Sequence, residues 1–331
     1  MDTERYSRQL LLKQFSKKDQ EKLLESKIAI IGIGGTGTVV AELLARVGLG
    51  TITLADRDCI EKSNLQRQIL FDEDDIGKTK ADAAKEKLEK INSKTKIISI
   101  VCDIDASNIQ KIVQKKDLII DCTDNMETRF LINDCSKKHR TPWIYTAAAG
   151  SKGATMNLMP KDRPCFRCIF KDIPKTITET HETSGILNSA TTAIASLAVT
   201  ESIKILTGKK HSKTLTYIDV WNQKIDRIFV KKRKDCPSCN GKYEFLEKKR
   251  NTIKSCGENA YHITPTRPKK LDLNLIFSKL HDQGTCSIFG PVLHFKKDDI
   301  EFSIFRDGRA IIKNVKTKER AEQLYSTHIG R

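Results

Sequence analysis

Nowhere in the 331 residues does an apolar run approach the roughly 18 residues that a membrane span needs. The opening MDTERYSRQL has no apolar signal core, so a cytoplasmic location is expected. No internal repeat and no low-complexity tract is visible. A hydrophobic content of 38% against 31% charged residues excludes wholesale disorder. The chain also offers no evident His/Ser or His/Cys dyad, so its motifs do not suggest catalysis by an activated side-chain nucleophile.

What is present begins with charge. The net charge of +17 raises three partners: nucleic acid, an acidic protein or a polyphosphate. The lysines are spread widely, and the densest stretch, 227–254, sets ten Lys/Arg against three Asp/Glu. A solvated surface is the plainer reading of most of this charge, and nucleic acid is the weaker partner. Ten cysteines in a cytoplasmic chain read as metal ligands or packing residues before they read as disulfides.

Residues 27–58 read strand, glycine turn, helix, strand: KIAIIGIGGTG, VVAELLARVGLG, TITLAD. A polar segment follows to about 71. The spacing then predicts a helix over 78–91, a strand over 96–101, a short helix near 107–114 and a strand over 117–121. Helix 126–139 and strand 143–147 complete the series. Such alternation implies an α/β fold, a doubly wound and mostly parallel sheet of Rossmann-like type. Further strands are expected at 151–159, 214–220 and 224–230, with a largely buried helix over 190–207. Beyond about 250 the pattern changes. SIFRDGRAIIK reads as a hairpin about a DG turn, with a helix from about 316 to 326. The organisation expected is therefore a 1–246 domain and a small α+β domain over 251–331.

Gly32, Gly34, Gly35 and Gly37 follow a strand and open a helix, the context in which a glycine turn lets backbone approach a phosphate at a helix N-terminus. Asp56 ends the next strand, where a carboxylate accepts from ribose hydroxyls. Those two features suit an NAD dehydrogenase and an adenylating enzyme equally. Asn64, Arg67 and Lys80 favour the second, because expelling pyrophosphate builds charge that cations neutralise. Asp121-Cys122-Thr123-Asp124-Asn125 ends another strand at the same edge. An aspartate beside a polyphosphate suggests a Mg²⁺ ligand, with Asp124 the better candidate; the alternative is that Asp124-Asn125 caps helix 126–139.

Together RYSRQ (5–9), GIGGTG (32–37), LADRD (54–58), SNLQRQ (63–68), GKTKADAA (77–84) and DCTDN (121–125) closely resemble the ubiquitin-activating-enzyme-like family, in its MoeB/ThiF/HesA branch. The likeness runs from about residue 4 to 241. It implies ATP-dependent adenylation of the C-terminal carboxylate of a small ubiquitin-fold protein ending in Gly-Gly. It also implies roles: Asp56 on the ribose, Asn64, Arg67 and Lys80 on the phosphates, Gln68 in the nucleotide site, Asp124 on Mg²⁺. Arg8 would reach across a homodimer to the partner's ATP, a role nothing in its own surroundings suggests. The chemistry suits the inventory, since a C-terminal carboxylate, with a pKa of about 3.3–3.7, is ionised at neutral pH and needs no general base.

Cys165/Cys168 and Cys236/Cys239 are two CxxC pairs, 67 residues apart. Four thiolates suit a closed, structural Zn²⁺ site, with a redox CxxC as the alternative; the family has two such pairs in these places. Where many relatives carry a cysteine in a segment like TCETAG, this chain has Thr180-His181-Glu182-Thr183-Ser184-Gly185, which implies that chemistry stops at the acyl-adenylate or that another protein captures it. Nothing after 247 resembles a rhodanese loop. The competing readings are a same-fold enzyme acting on a carboxylate of modified tRNA, which the net charge favours, and a non-catalytic protein that only binds ubiquitin-fold partners.

Overall fold

The run Lys27–Ile31 forms β1 because its β-branched side chains fit a pleat that is covered on both faces. Ile28 and Ile30 enter one core, while Ala29 and Ile31 enter the other. In the computed structural model, which describes residues 2–161, 164–173, 185–247, 253–255, 259–265 and 270–330, this strand lies within an eight-stranded sheet. The order is β3-β2-β1-β4-β5-β6-β7-β8, with β2 at Thr51–Asp56, β3 at Lys96–Val101, β4 at Leu118–Asp121 and β5 at Trp143–Ala149. These first five strands are parallel. The remaining three, β6 (Lys152–Leu158), β7 (Leu215–Asp219) and β8 (Lys224–Ile228), are antiparallel.

Helices cover both faces. On one side pack Gly35–Arg46, Lys80–Ile91 and Asn188–Thr207, through Val40, Leu44, Ala84, Leu88, Ala195 and Ala198. On the other pack Ile109–Val113 and Met126–His139, through Ile109, Ile112, Phe130 and Ile132. The α/β expectation and its mostly parallel sheet therefore hold. The order in which successive strands are added reverses between β1 and β4, which are parallel hydrogen-bonded neighbours (Ile31 pairs with Asp121). That switch point is where sheets of this kind open a crevice for ligands.

The described chain divides into two compact units, Met1–Ile76 with Lys80–Lys248, and Gly77–Thr79 with Lys249–Arg331. The second unit holds a six-stranded antiparallel sheet, β11-β12-β13-β14-β10-β9, whose strands are β9 Ile253–Ser255, β10 Ala260–Ile263, β11 Thr285–Phe289, β12 Val292–Lys297, β13 Ile300–Phe305 and β14 Ala310–Lys313. The hairpin read about Asp307-Gly308 is there, joining β13 to β14 with Gly308 at φ 85°. Helices Leu273–Leu280 and Lys318–His328 share a core with Leu293, Phe295, Ile304 and Ile312. Among the described residues no helix is long and apolar enough to cross a membrane.

Candidate active site and cysteine cluster

The glycine turn is built by close approach. Gly32 has φ +89°, and a Cβ there would stand 2.7 Å from the Cys122 carbonyl oxygen. A Cβ on Gly37 would stand 2.0 Å from Gly32 O, so the first turn of the helix presses on the loop that precedes it. Gly34 is different: it begins the helix without a side-chain cap, and a Cβ there would meet nothing closer than Gln68 Nε2 at 3.9 Å. Uncapped N–H groups at the start of a 12-residue helix form a cradle for an anion.

Asp56 lies at the end of β2 and is buried. Its carboxylate accepts from Ile33 N–H at 2.6 Å and from Asp58 N–H at 2.8 Å, which ties β2 to the glycine turn. Burial pushes its pKa up, tempered by the neighbouring Lys80 ammonium. Lys80, at the first position of its helix, is 7% exposed and pairs with Asp58 at 3.3 Å. Burial works against that ammonium, but Asp58, Asp56 and Asp124 outweigh it and hold the pKa above the ordinary lysine value. Lys80 is therefore a fixed positive charge at neutral pH.

The segment between them wraps over the turn. Buried Asn64 closes a short 3₁₀ turn, accepting from Glu61 N–H at 3.3 Å. Arg67 donates to Ser63 O at 3.0 Å, and its Cγ lies 3.4 Å from where a Gly35 Cβ would stand. Gln68 is 2% exposed, and its Oε1 is buried with no hydrogen-bond partner, which suits a group that a ligand completes.

At the end of β4 the two aspartates part company. Asp121 is fully buried; Arg129 lies 3.3 Å away, and Thr123 donates to it from N–H (3.0 Å) and Oγ1 (2.7 Å). Burial lifts its carboxyl to about 6 against the pull of Arg129. Asp121 is thus a structural group, and Asp124 stays the Mg²⁺ candidate. Asn125 caps the helix Met126–His139, accepting from Thr128 N–H at 3.0 Å, so the cap role does not fall to Asp124. Asp124 is exposed at the strand end, near enough for its charge to act on Lys80. An exposed carboxylate opposite an anion cradle fits a Mg²⁺ ion shared with phosphate oxygens.

The structure gathers Gly32, Gly34, Gly35, Gly37, Asp56, Asn64, Arg67, Gln68, Lys80 and Asp124 at the carboxyl ends of β1, β2 and β4. Arg8 it does not bring there. Arg8 is exposed, and the residues around it are fastened to the far ends of two helices. Tyr6 OH accepts from Asn92 Nδ2 at 3.1 Å, Gln9 donates to Val47 O at 3.1 Å, and Arg5 donates to Ile91 O at 3.2 Å. Those anchors lie at or just past the C-termini of Gly35–Arg46 and Lys80–Ile91, whose N-termini carry the site; each helix is about 18 Å long. His181 and residues 180–184 lie outside the described residues, as does Cys256. Two residues of the site carry only a faint signal in the sequence: Arg129 stands one turn beyond the Asn125 cap, and Asp58 lies inside LADRD.

The four CxxC thiols come together. Sγ separations are 3.9 Å for Cys165–Cys168, 3.5 Å for Cys165–Cys236, 3.7 Å for Cys168–Cys239 and 3.5 Å for Cys165–Cys239. Zn–S bonds of about 2.3 Å in a tetrahedron imply separations of about 3.8 Å, so the cluster fits zinc. Both knuckles hang on the helix Met126–His139: Asn133 accepts from Phe166 N–H at 2.8 Å, while Asp134 accepts from Ser238 Oγ and from Phe245 N–H at 3.0 Å.

This geometry has counterparts. The ThiF family model matches residues 6–239. A Bacillus subtilis protein named sulfur carrier protein ThiS adenylyltransferase is 37% identical over 99% of this chain and 100% of its own length, so the similarity runs through the second unit. A Haloferax volcanii SAMP-activating enzyme E1 is 30% identical over 71% of this chain and 88% of its own. Among solved structures, Escherichia coli MccB with ATP is 26% identical, with a TM-score of 0.64 over 72% of this chain and 75% of that one. The fold and site define an adenylating enzyme of the E1-like class. The chain belongs to the ThiF family, in the MoeB/ThiF branch.

Proposed function

We propose that this protein adenylates the C-terminal glycine carboxylate of a ThiS-like ubiquitin-fold sulfur carrier ending in Gly-Gly, working as a homodimer in the cytoplasm. The observation that carries the reading is one sheet edge holding an uncapped helix N-terminus, a buried lysine fixed as a cation, Arg67 over the turn and Asp124 opposite. The choice of carrier rests on the relative that is similar along the whole chain.

The carrier carboxylate, already ionised, attacks the α-phosphorus of ATP. The bond from that phosphorus to the bridging oxygen breaks, and pyrophosphate leaves with its electron pair. Asp56 and Gln68 hold the nucleoside side of the nucleotide. Arg67, Lys80 and the glycine-turn N–H groups neutralise the phosphates, and Asn64 shapes the segment that presents Arg67. Mg²⁺ held by Asp124 would supply further neutralisation of the leaving pyrophosphate. The catalytic work is alignment of two anions and charge stabilisation. With His181 where relatives carry cysteine, the product is the acyl-adenylate, passed to a separate sulfur donor.

The test is ATP–pyrophosphate exchange with Mg²⁺ and each small ubiquitin-fold protein of the organism in turn. Exchange that needs one carrier and disappears when its last glycine is deleted supports the reading. Failure of every carrier to support exchange, with ATP consumed on modified tRNA instead, would replace it. No ATP binding at all would leave a protein that only docks such partners.

A further inference from the structure

Arg129 is a buried cation at the end of β4 to which the adenylation chemistry gives no task. It is 8% exposed, on the first turns of the helix Met126–His139. Its Nη2 donates to the Thr123 carbonyl and to Thr146 O at 3.5 Å, its Nε lies 3.3 Å from Asp121 Oδ2, and its guanidinium stands 5.1 Å over the Tyr145 ring. One planar fork therefore joins the end of β4, the loop after it and the middle of β5. The carbonyl it holds belongs to Thr123, the residue immediately before Asp124. On its other side the same loop rests against the glycine turn, since a Cβ on Gly32 would reach Cys122 O at 2.7 Å and Thr123 N at 3.0 Å.

Thr123, the residue before Asp124, is thus held on its N–H side by Gly32 and on its carbonyl side by Arg129. Gly32 belongs to the phosphate cradle, and Asp124 is the candidate metal carboxylate. We infer that Arg129 is a positioning residue that sets the distance between the phosphate cradle and Asp124, and so tunes metal affinity in the nucleotide complex without touching metal or nucleotide. This rests on the ATP–Mg²⁺ reading above. Lysine in its place keeps the charge but lacks the planar fork that serves Thr123 O, Thr146 O and Asp121 together.

Mn²⁺ binding to the full-length protein with saturating ATP, followed by electron paramagnetic resonance, reads this without turnover. Arg129→Lys is expected to weaken Mn²⁺ about 10-fold or more, while metal-free ATP binding by calorimetry stays near that of the parent. In an Asp124→Asn background the same change should add nothing further. Should Arg129→Lys fail to fold, Asp121→Asn/Arg129→Met removes both members of the buried pair and is expected to show the same selective loss. Unchanged Mn²⁺ affinity with only a lowered Tm would make Arg129 a stability residue and overturn the inference, leaving the proposed function intact. A parent protein that binds no ATP would sink both.

Discussion

At the scale of single residues, burial separates groups that share a letter. Asp121 and Asp124 stand three positions apart, yet one is sealed under Arg129 and the other is exposed. Nothing local in DCTDN announces this, because desolvation depends on what other elements lay over each side chain. Lys80 shows the same dependence. Its charge is secured by Asp58, Asp56 and Asp124, which reach it from two separate segments of the chain. Lys80→Met is expected to lower carrier-dependent exchange by about 10²–10³-fold, the scale of removing one preorganised charge-stabilising group. Because the folded-state pKa is raised, the stability Lys80 contributes is full below the unfolded lysine value, about 10.4, and is lost only as pH climbs through the higher folded value. The difference in Tm between parent and variant should therefore be flat from neutral pH to about 9; a difference that shrinks across that window would contradict the pairing.

At the scale of elements, the strand–turn–helix unit was legible because its signals are local: a β-branched run, then glycines, then helical spacing. Which glycine does what was not legible. Gly32 and Gly37 are required by backbone contacts, whereas the space at Gly34 is open toward the anion cradle. Gly37→Ala should cost about 1–3 kcal/mol by overpacking against Gly32 O, visible as a lower midpoint in urea. Gly34→Ala should cost about 0.5–1 kcal/mol through the poorer N-cap, with open space for its methyl group, yet weaken ATP because that methyl group enters the cradle. Equal losses of stability in the two variants would mean the turn has no separate binding role. The helix Met126–His139 is a second case. Its span was readable, but its hub role was not. One helix carries the Asn125 cap, Arg129 under the Asp124 loop, and Asn133 and Asp134 holding both knuckles.

At the scale of the whole molecule, the position of Arg8 bears on assembly. Its segment is pinned to the ends of two helices remote from the nucleotide site, so a role in ATP binding requires a second chain. Mixing Arg8→Ala with Lys80→Met protomers tests this. In a homodimer with the arginine acting in trans, one heterodimer site is intact, and exchange should recover to about a quarter of the parent at equal mixing. No recovery above the separate variants would remove Arg8 from the mechanism. The cysteine cluster makes a different demand. Cys236→Ser should lose zinc by elemental analysis and lower the Tm. Retention of both zinc and Tm would mean the cluster is not the metal site.

The sequence by itself determined the order of strands and helices in the first unit, the glycine turn, the acid that ends β2, the cationic segment and the paired CxxC motifs. Each of these is encoded in a short window, as a periodicity of two or 3.6 or as a fixed spacing of chemically distinct residues. Only the tertiary structure decided that Asp121 is buried and Asp124 exposed, that Asn125 takes the cap, and that Arg129 clamps the loop beside the glycine turn. It also decided that the thiols of two motifs separated by 67 intervening residues meet within 4.8 Å and that the segment carrying Arg8 is fastened at the far ends of two helices. These outcomes depend on which surfaces cover one another, and that cover fixes desolvation, hydrogen-bond partners and reach across segments far apart in the chain.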